Sequence, residues 1–402
     1  MSVGSTEGAK VPALPEPERK PSQDLPRGRT VLTGNEAAAV AAVLARAQQI
    51  ACYPITPQTL IVERLADLVA GRDDIVFANL DSEHSMFGYA LASTRAGSRC
   101  FTATSSQGLL YSHEQLHRAS RERIPLVAVN VNRSIVAPWS LEPDLADSMS
   151  ERDTGWVQLY CASAQELLDS VLCAYRIAEE AMLPVLVCAE GFLLSHTAEV
   201  VDVPSQEQVD AFLPPFRPPD DWLLDPRKPR AFSGLPDPNG YAIYQHKVAE
   251  AHDRTRILLA DVAADFAATF GREKVASLEI TGDRAADTAI VAIGTIGETA
   301  RELLADDEPP LVIRVHAYRP FPSDELAAAL EHVSRVCVVD RAPAFGAVGP
   351  LGEDVRSCGV PATDVVCGLG GSDVTPDTLR SALDLAQVES PNREAVYLMG
   401  GA

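Results

Sequence analysis

Ile75-Val76-Phe77-Ala78-Asn79-Leu80 runs directly into Asp81-Ser82-Glu83-His84-Ser85. The first six residues form a short apolar run of the kind that builds a buried strand. The next five open a small-residue helix, and an acid such as Asp81 at a helix start is ordinarily favourable beside the positive end of the macrodipole. Glu83 is different. It lies a turn in, just before Met86-Phe87-Gly88-Tyr89-Ala90-Leu91, where a partly buried carboxylate needs a partner. At the carboxyl end of a strand such a group can serve as an acid, a base or a cofactor clamp, although a purely structural acid fits the sequence as well.

Further runs of the same texture are Cys100–Thr104, Leu126–Val131, Pro184–Cys188, Ala289–Ile293, Leu311–Val315 and Arg335–Val339, with amphipathic segments between them. That alternation is the signature of parallel α/β sheets. Asn35–Gln49 is Ala-rich and opens on Thr33-Gly34-Asn35-Glu36, a capping-box pattern; Ala164–Met182 carries helical apolar spacing through Leu167, Val171, Ala174 and Ile177. From Val203 to about Gln245 the chain turns to Pro, Asp and bulky aromatics without periodicity. The expected organisation is a flexible tail over 1–29, an α/β domain over 30–202, a connecting arm over 203–247 and a second α/β domain over 248–402. The Pro, Gly, Ser and charge of the tail lack the apolar core of a signal peptide.

Three more clusters fall where strands end. Tyr53-Pro54-Ile55-Thr56-Pro57 places two prolines around a threonine, which stiffens the backbone; the plain alternative is a helix start with Thr56 capping and Pro57 at the first helical position. Phe101-Thr102-Ala103-Thr104-Ser105-Ser106-Gln107-Gly108 puts hydroxyls and helix-start amides together, which favours an anion or a polar ligand. Asn132-Arg133 ends a strand with a guanidinium suited to gripping a carboxylate, or to pairing with a surface acid. Ligands of open α/β sheets bind beyond the carboxyl ends of strands, so the coincidence of all four clusters carries more than any one. His84, His113 and His117 lack an evident third ligand, and no metal is assigned to this chain. Gly368-Leu369-Gly370-Gly371 is expected to be a tight loop.

Composition sets limits. With 402 residues, 46% of them hydrophobic, the chain can bury a large core. A formal charge of −22, from 34 basic and 56 acidic residues, argues against a nucleic-acid partner, and no apolar stretch reaches the length of a membrane span. The eight cysteines (52, 100, 161, 173, 188, 337, 358 and 367) show no Cys-x-x-Cys spacing, which argues against a zinc or iron–sulfur site held by this chain alone and suits a reducing, cytoplasmic compartment.

Taken in order, YPITP at 53–57, SEHS at 82–85, FTATSSQGL at 101–109, Asn132-Arg133 and DSMSERDTGW at 147–156 resemble the alpha subunit of 2-oxoacid:ferredoxin oxidoreductases. The second block is similar too, through Arg319-Pro320-Phe321-Pro322, Asp340-Arg341, Phe345–Pro350 and Gly368–Pro376. The resemblance implies a thiamine-diphosphate-binding parallel-sheet domain of the pyrimidine type, followed by a smaller α/β domain like the transketolase C-terminal one. It implies Glu83 as the contact to the aminopyrimidine nitrogen, stabilising the imino tautomer that takes the thiazolium proton, and Thr56 and Arg133 as the grip on the 2-oxoacid. Tyr53, Pro54, Ile55, Ser106 and Gln107 fall on the cofactor side, and Asn132 and Asp144 on the substrate side.

The implied activity is oxidative decarboxylation of pyruvate or a relative to an acyl-CoA, with electrons passed to ferredoxin. Magnesium and iron–sulfur clusters of the four-iron, four-sulfur type are expected on beta, gamma and delta-type partners. One segment departs from the family pattern: Trp139-Ser140-Leu141-Glu142-Pro143-Asp144-Leu145-Ala146 replaces a stretch that usually resembles Ile-Trp-Asn-Asp-His. Two other readings are a non-oxidative thiamine-dependent decarboxylase or lyase subunit and a catalytically silent assembly subunit. Retention of Thr56, Glu83 and Arg133 together argues against the silent one.

Overall fold

In the computed structural model, which describes residues 24–219, 221–388 and 391–399, the opening stretch forms a strand over Val76–Asn79 and a helix over Glu83–Arg95. The first part of the chain runs β1 (Gly28–Thr33), α1 (Gly34–Leu44), β2 (Gln49–Cys52), α2 (Thr59–Val69), β3 (Val76–Asn79), α3 (Glu83–Arg95), β4 (Cys100–Thr104), α4 (Ser106–Tyr111), α5 (His113–Arg121), β5 (Val127–Asn132), α6 (Ala146–Ser150), β6 (Val157–Tyr160), α7 (Ala164–Ala181), β7 (Val185–Glu190), β8 (Ala198–Val203), α8 (Gln206–Phe212) and α9 (Pro238–Phe270). The second runs β9 (Leu278–Thr281), β10 (Thr288–Ile293), α10 (Gly294–Ala300), β11 (Leu311–Val315), β12 (Ala317–Arg319), α11 (Ser323–Ala329), β13 (Arg335–Asp340), α12 (Pro350–Ser357), β14 (Thr363–Val366), α13 (Pro376–Val388) and β15 (Val396–Tyr397).

The first sheet has the order β12-β6-β7-β5-β4-β2-β3 and is parallel except for β12. Its inner strands β4, β5 and β7 are buried at every position, because helices cover both faces; this is why they carry continuous apolar runs and no alternation. Helix α1 owes its central place to its alanines: Ala37 to Ala42 expose nothing, so the helix lies close against α7 and α2. The expected capping box at its start is present, with Thr33 and Glu36 exchanging bonds. The second sheet has the order β15-β14-β13-β10-β11-β9, with β9 antiparallel.

Three expected boundaries move. Residues 1–23 of the expected tail lie outside the described residues, and its last two, Gly28 and Arg29, are in β1, which pairs antiparallel with β8. The Ala-rich helix stops at Leu44 because Gln49–Cys52 is the strand β2. The edge placed at 248 falls inside α9. That helix starts ten residues earlier, with Asp237 as its cap and Pro238 at its first position. Its buried stripe begins only at Val248 and continues through Ala251, Thr255, Leu259, Val262 and Phe266, packed on α7. Apolar periodicity therefore marks where α9 meets the core, not where it begins. Conversely β12, from the second block, extends the first sheet beside β6, and one apolar core runs across both domains.

Candidate functional site

The four sequence clusters converge at the carboxyl ends of β2, β3, β4 and β5. The loop after β2 holds Tyr53 and Ile55 half-buried and Pro54 and Thr56 exposed. Thr56 does not cap a helix, since α2 starts at Thr59 after Gln58. The loop is fastened from below: Asn35 Nδ2 donates to Pro57 O at 3.0 Å, and Gln58 accepts the Ile55 N–H at 3.3 Å.

Arg133 reaches across this loop. Its Nη1 donates to Thr56 O at 2.5 Å and its Nη2 to Gln107 Oε1, so the guanidinium bridges the ends of β2, β4 and β5. Burial lowers its pKa, offset by the charges of Asp147 and Glu83. The organiser beneath is Asp147, which is fully buried. It accepts from Ser106 N (2.9 Å), Asn130 Nδ2 (2.9 Å), Asn132 Nδ2 (2.7 Å), Ser148 N (2.7 Å) and Arg133 N (3.2 Å). Desolvation nevertheless pushes this carboxyl up to about 6. Ser106 has φ of +47°, a left-handed conformation unusual for a residue with a side chain. Two bonds hold it: its N–H to Asp147, and its hydroxyl to Ser134 O at 2.7 Å.

Glu83 is the first residue of α3 and is buried, with Ser82 capping the helix through Ser85 N. Burial raises its pKa; a backbone hydrogen bond and the charge of Arg133 pull it back. Gly108 of α4 makes the close approach possible, because a Cβ there would lie 2.6 Å from Glu83 Oε1 and 2.5 Å from Thr104 Oγ1. At the ends of β4 and β5 and the start of α4 lie buried polar atoms that have no hydrogen-bond partner among the described residues: Thr104 Oγ1, which meets Glu83 at Gly108, Ser105 Oγ, Gln107 Nε2 and Arg133 Nε. A donor–acceptor ring such as an aminopyrimidine fits a carboxyl of raised pKa with unmatched hydroxyls and amides at the same sheet edge. Among the described residues no three carboxylate, imidazole or thiol groups converge to hold a metal ion; His113 pairs with Glu151 and His117 with Arg121.

The departing segment Trp139–Ala146 forms a strap to the second domain. Pro143 O accepts from Gly371 N at 2.9 Å, Leu145 N donates to Arg341 O at 2.8 Å, and Glu142 lies with its stem over Gly371. Asp144 is turned to this strap, accepting from Ala146 N at 3.0 Å, and burial raises its pKa. Gly368, Gly370 and Gly371 all have positive φ, as the expected tight loop requires. Below the strap, buried Glu190 at the end of β7 takes Thr295 N (2.9 Å), Thr295 Oγ1 (2.7 Å) and Arg341 Nη1, tying the two domains beside the site.

The structure thus links Thr56, Gln107 and Arg133 directly, joins Ser106, Asn132 and Arg133 through Asp147, and sets Glu83 against the same helix as Gln107. Asp147 and Glu190 were not singled out as site residues from sequence. The only signal for Asp147 was its place in the DSMSERDTGW motif. Glu190 was visible as the lone charge within an apolar run.

A buried acid at the end of a parallel strand, in a domain tied beside it to a second α/β domain, invites comparison with solved structures. The chain superposes on a 2-oxoglutarate:ferredoxin oxidoreductase from Magnetococcus marinus, solved with 2-oxoglutarate, coenzyme A and succinyl-CoA bound, with a TM-score of 0.69, covering 90% of this chain and 66% of that one at 16% identity. It also superposes on a split-gene transketolase, an inactive beta4 tetramer, with a TM-score of 0.53, covering 88% and 98% at 14% identity. These likenesses define the class by fold: a pair of α/β domains arranged as in those two proteins.

The sequence comparisons narrow it. Residues 40–263 match the thiamine diphosphate-binding domain of pyruvate flavodoxin/ferredoxin oxidoreductases, and 286–379 match core domain II of pyruvate:ferredoxin oxidoreductase. The chain belongs to this oxidoreductase family. It is 40% identical to the ketoisovalerate oxidoreductase subunit VorA of Pyrococcus horikoshii over 358 residues, 86% of this chain and 91% of that protein. It is 38% identical to the pyruvate synthase subunit PorA of Methanothermobacter thermautotrophicus over 377 residues, 92% and 97% of the two. No helix among the described residues is long and apolar enough to cross a membrane.

Proposed function

We infer that this chain is the alpha subunit of a 2-oxoacid:ferredoxin oxidoreductase, contributing the pyrimidine half of a thiamine diphosphate site and the carboxylate grip for a 2-oxoacid. The observation that carries the reading is that Glu83, after β3, and Arg133, after β5, feel each other's charge at the carboxyl edge of one sheet, where several buried polar atoms have no partner among the described residues. When bound, thiamine diphosphate supplies the nucleophilic carbon and the electron sink for decarboxylation. Glu83 holds a proton at the aminopyrimidine nitrogen, which its raised pKa favours. Arg133 offers a guanidinium already oriented by Thr56 O and Gln107, and so sets the 2-oxoacid carboxylate without reorganising. Tyr53, Pro54, Ile55 and Ser106 shape the cofactor side, Thr56 and Asn132 flank the substrate, and Asp144 holds the adjoining strap.

The diphosphate, its magnesium and the electron-carrying clusters are assigned to partner subunits. Two observations support that division. The relatives are themselves named as subunits, and the eight cysteines here are separate free thiols, seven of them buried. Pyruvate and the branched ketoisovalerate class are the first substrates to try, with coenzyme A as acyl acceptor and ferredoxin as electron acceptor. The test is to co-purify the chain with its partners, add thiamine diphosphate, magnesium, coenzyme A and a panel of 2-oxoacids, and follow reduction of a low-potential acceptor. Carbon dioxide release without acceptor reduction would instead indicate the non-oxidative decarboxylase, and no turnover of any 2-oxoacid the silent subunit.

A further inference from the structure

A sizeable cavity lies far from these groups. It occupies about 930 Å³ at the opposite edge of the first sheet, between the ends of α3 and α5 and the segment leading into α9. Helix α3 spans the distance: Glu83 is its first residue and Arg95, on the cavity, its last. Twelve residue steps separate them, roughly 18 Å along the axis, so a molecule here would not touch the catalytic groups.

The walls are chemically unlike one another. On α5, Arg118 and Arg121 are three residues apart and therefore neighbours on one helix face. Glu122 is the only carboxylate among the described residues that pairs with Arg118, at 2.7 Å. It is already engaged by Arg95 and Ser233. Arg121 meets His117 and the main-chain oxygen of Thr154, and no carboxylate among the described residues. In a chain with 56 acidic side chains against 34 basic ones, two neighbouring arginines with one already engaged acid between them, held by Arg118 alone, are not the expected outcome of random surface pairing. Their position near a helix C-terminus accounts for positive charge, but not for the cavity or for its other wall.

That other wall is aromatic. Tyr241 and Tyr244, also three residues apart, lie on the part of α9 that precedes its buried stripe, and they remain 55% and 47% exposed. The floor is a stack in which the Arg95 guanidinium carbon lies 4.3 Å from the Trp222 ring centre and 4.4 Å from that of Phe232. Paired guanidiniums select phosphate oxygens, and exposed aromatic faces select a planar ring. A cavity of this volume falls within the size range of small-molecule sites, about 300 to 1,000 Å³.

We propose that this cavity is a mononucleotide-binding site, in which Arg118 and Arg121 take the phosphate and Tyr241 and Tyr244 face the base. Any influence on catalysis would pass through α3, whose two ends lie at the two sites.

The test uses the assembled complex, saturated with thiamine diphosphate, magnesium and coenzyme A so that those sites cannot take up the probe. Calorimetric titration with AMP, ADP and ATP is compared with inorganic pyrophosphate and with adenosine. The expected result is micromolar binding of at least one nucleotide, with pyrophosphate and adenosine each at least about tenfold weaker. Arg121→Ala, the exposed Arg118→Ala and Tyr241→Ala are each expected to weaken that binding about tenfold while leaving 2-oxoacid turnover unchanged. Absence of binding up to millimolar nucleotide, binding indifferent to all three substitutions, or pyrophosphate binding as tightly as the nucleotides would overturn the proposal.

Discussion

Arg133 and Asp147 are in contact without forming an ion pair: Asp147 Oδ2 accepts the main-chain N–H of Arg133 at 3.2 Å, while the guanidinium turns away to Thr56 O and Gln107. The acid fixes the backbone of the residue and leaves its charge for something else. Its hydrogen-bond partners are neutral oxygens, so no carboxylate occupies the guanidinium directly, although Asp147 and Glu83 act on its charge from nearby.

Arg133→Lys tests that use. Lysine keeps the charge but loses the planar fork, and an ammonium cannot bridge Thr56 and Gln107 while presenting donors to a carboxylate. Loss of one charge-assisted hydrogen bond, about 1.5 to 3 kcal/mol, corresponds to a KM for the 2-oxoacid raised about tenfold or more, with a smaller change in kcat. Steady-state kinetics of the assembled enzyme would show it; an unchanged KM would return Arg133 to a purely structural role.

Glu83→Gln preserves shape and removes the acid. If Glu83 exchanges a proton with the cofactor ring, kcat falls by about a hundredfold or more. Assembly and the thermal midpoint should hold, because glutamine fills the same space at the start of α3. Turnover at the parent rate would dismiss the proton role.

Gly108→Ala asks how closely Glu83 must be packed. The new methyl would sit 2.6 Å from Glu83 Oε1 and 2.5 Å from Thr104 Oγ1, so one of them has to shift. Overpacking of this kind costs about 1 to 3 kcal/mol. We expect apparent thiamine diphosphate affinity to drop with the displaced carboxyl while the Arg133-dependent KM for the 2-oxoacid changes less. Equal loss in both would mean that the whole cleft had collapsed.

The strand-end clusters legible in the sequence lie together in the fold, whereas several element edges fall elsewhere than expected, and the reasons are physical. Thr56, Glu83, Gln107 and Arg133 stand at strand ends because a parallel sheet gathers its carboxyl termini on one edge, so the order of strands and turns was enough to bring them together. Asp147 was harder. It acts through four contacts to residues 14 to 41 positions away and one to its neighbour Ser148, and one aspartate in a polar stretch carries no periodic signal. The start of α9 was missed for a related cause: before Val248 that helix touches little of the core, so no apolar stripe marks it. The exchange of β12 into the first sheet was equally invisible, because three residues are too few for any pattern.

Asp147→Asn isolates the buried organiser by pH. Burial pushes the Asp147 carboxyl up to about 6 from an ordinary 3.8. Because its folded value lies above its unfolded one, the folded chain binds the proton more readily between those two pH values. The ionised form therefore costs stability, about 3 kcal/mol, fully above the folded pKa, and that cost is relieved as pH falls toward 4. Asparagine cannot titrate and carries no such cost. Other carboxylates act alike in parent and variant, so the difference between their thermal midpoints reports Asp147 alone. We expect the parent to gain on the variant as pH falls from 7 to about 4.5. A difference that stayed flat over this range would mean that Asp147 titrates as an ordinary carboxyl and that its five donors fully offset its burial.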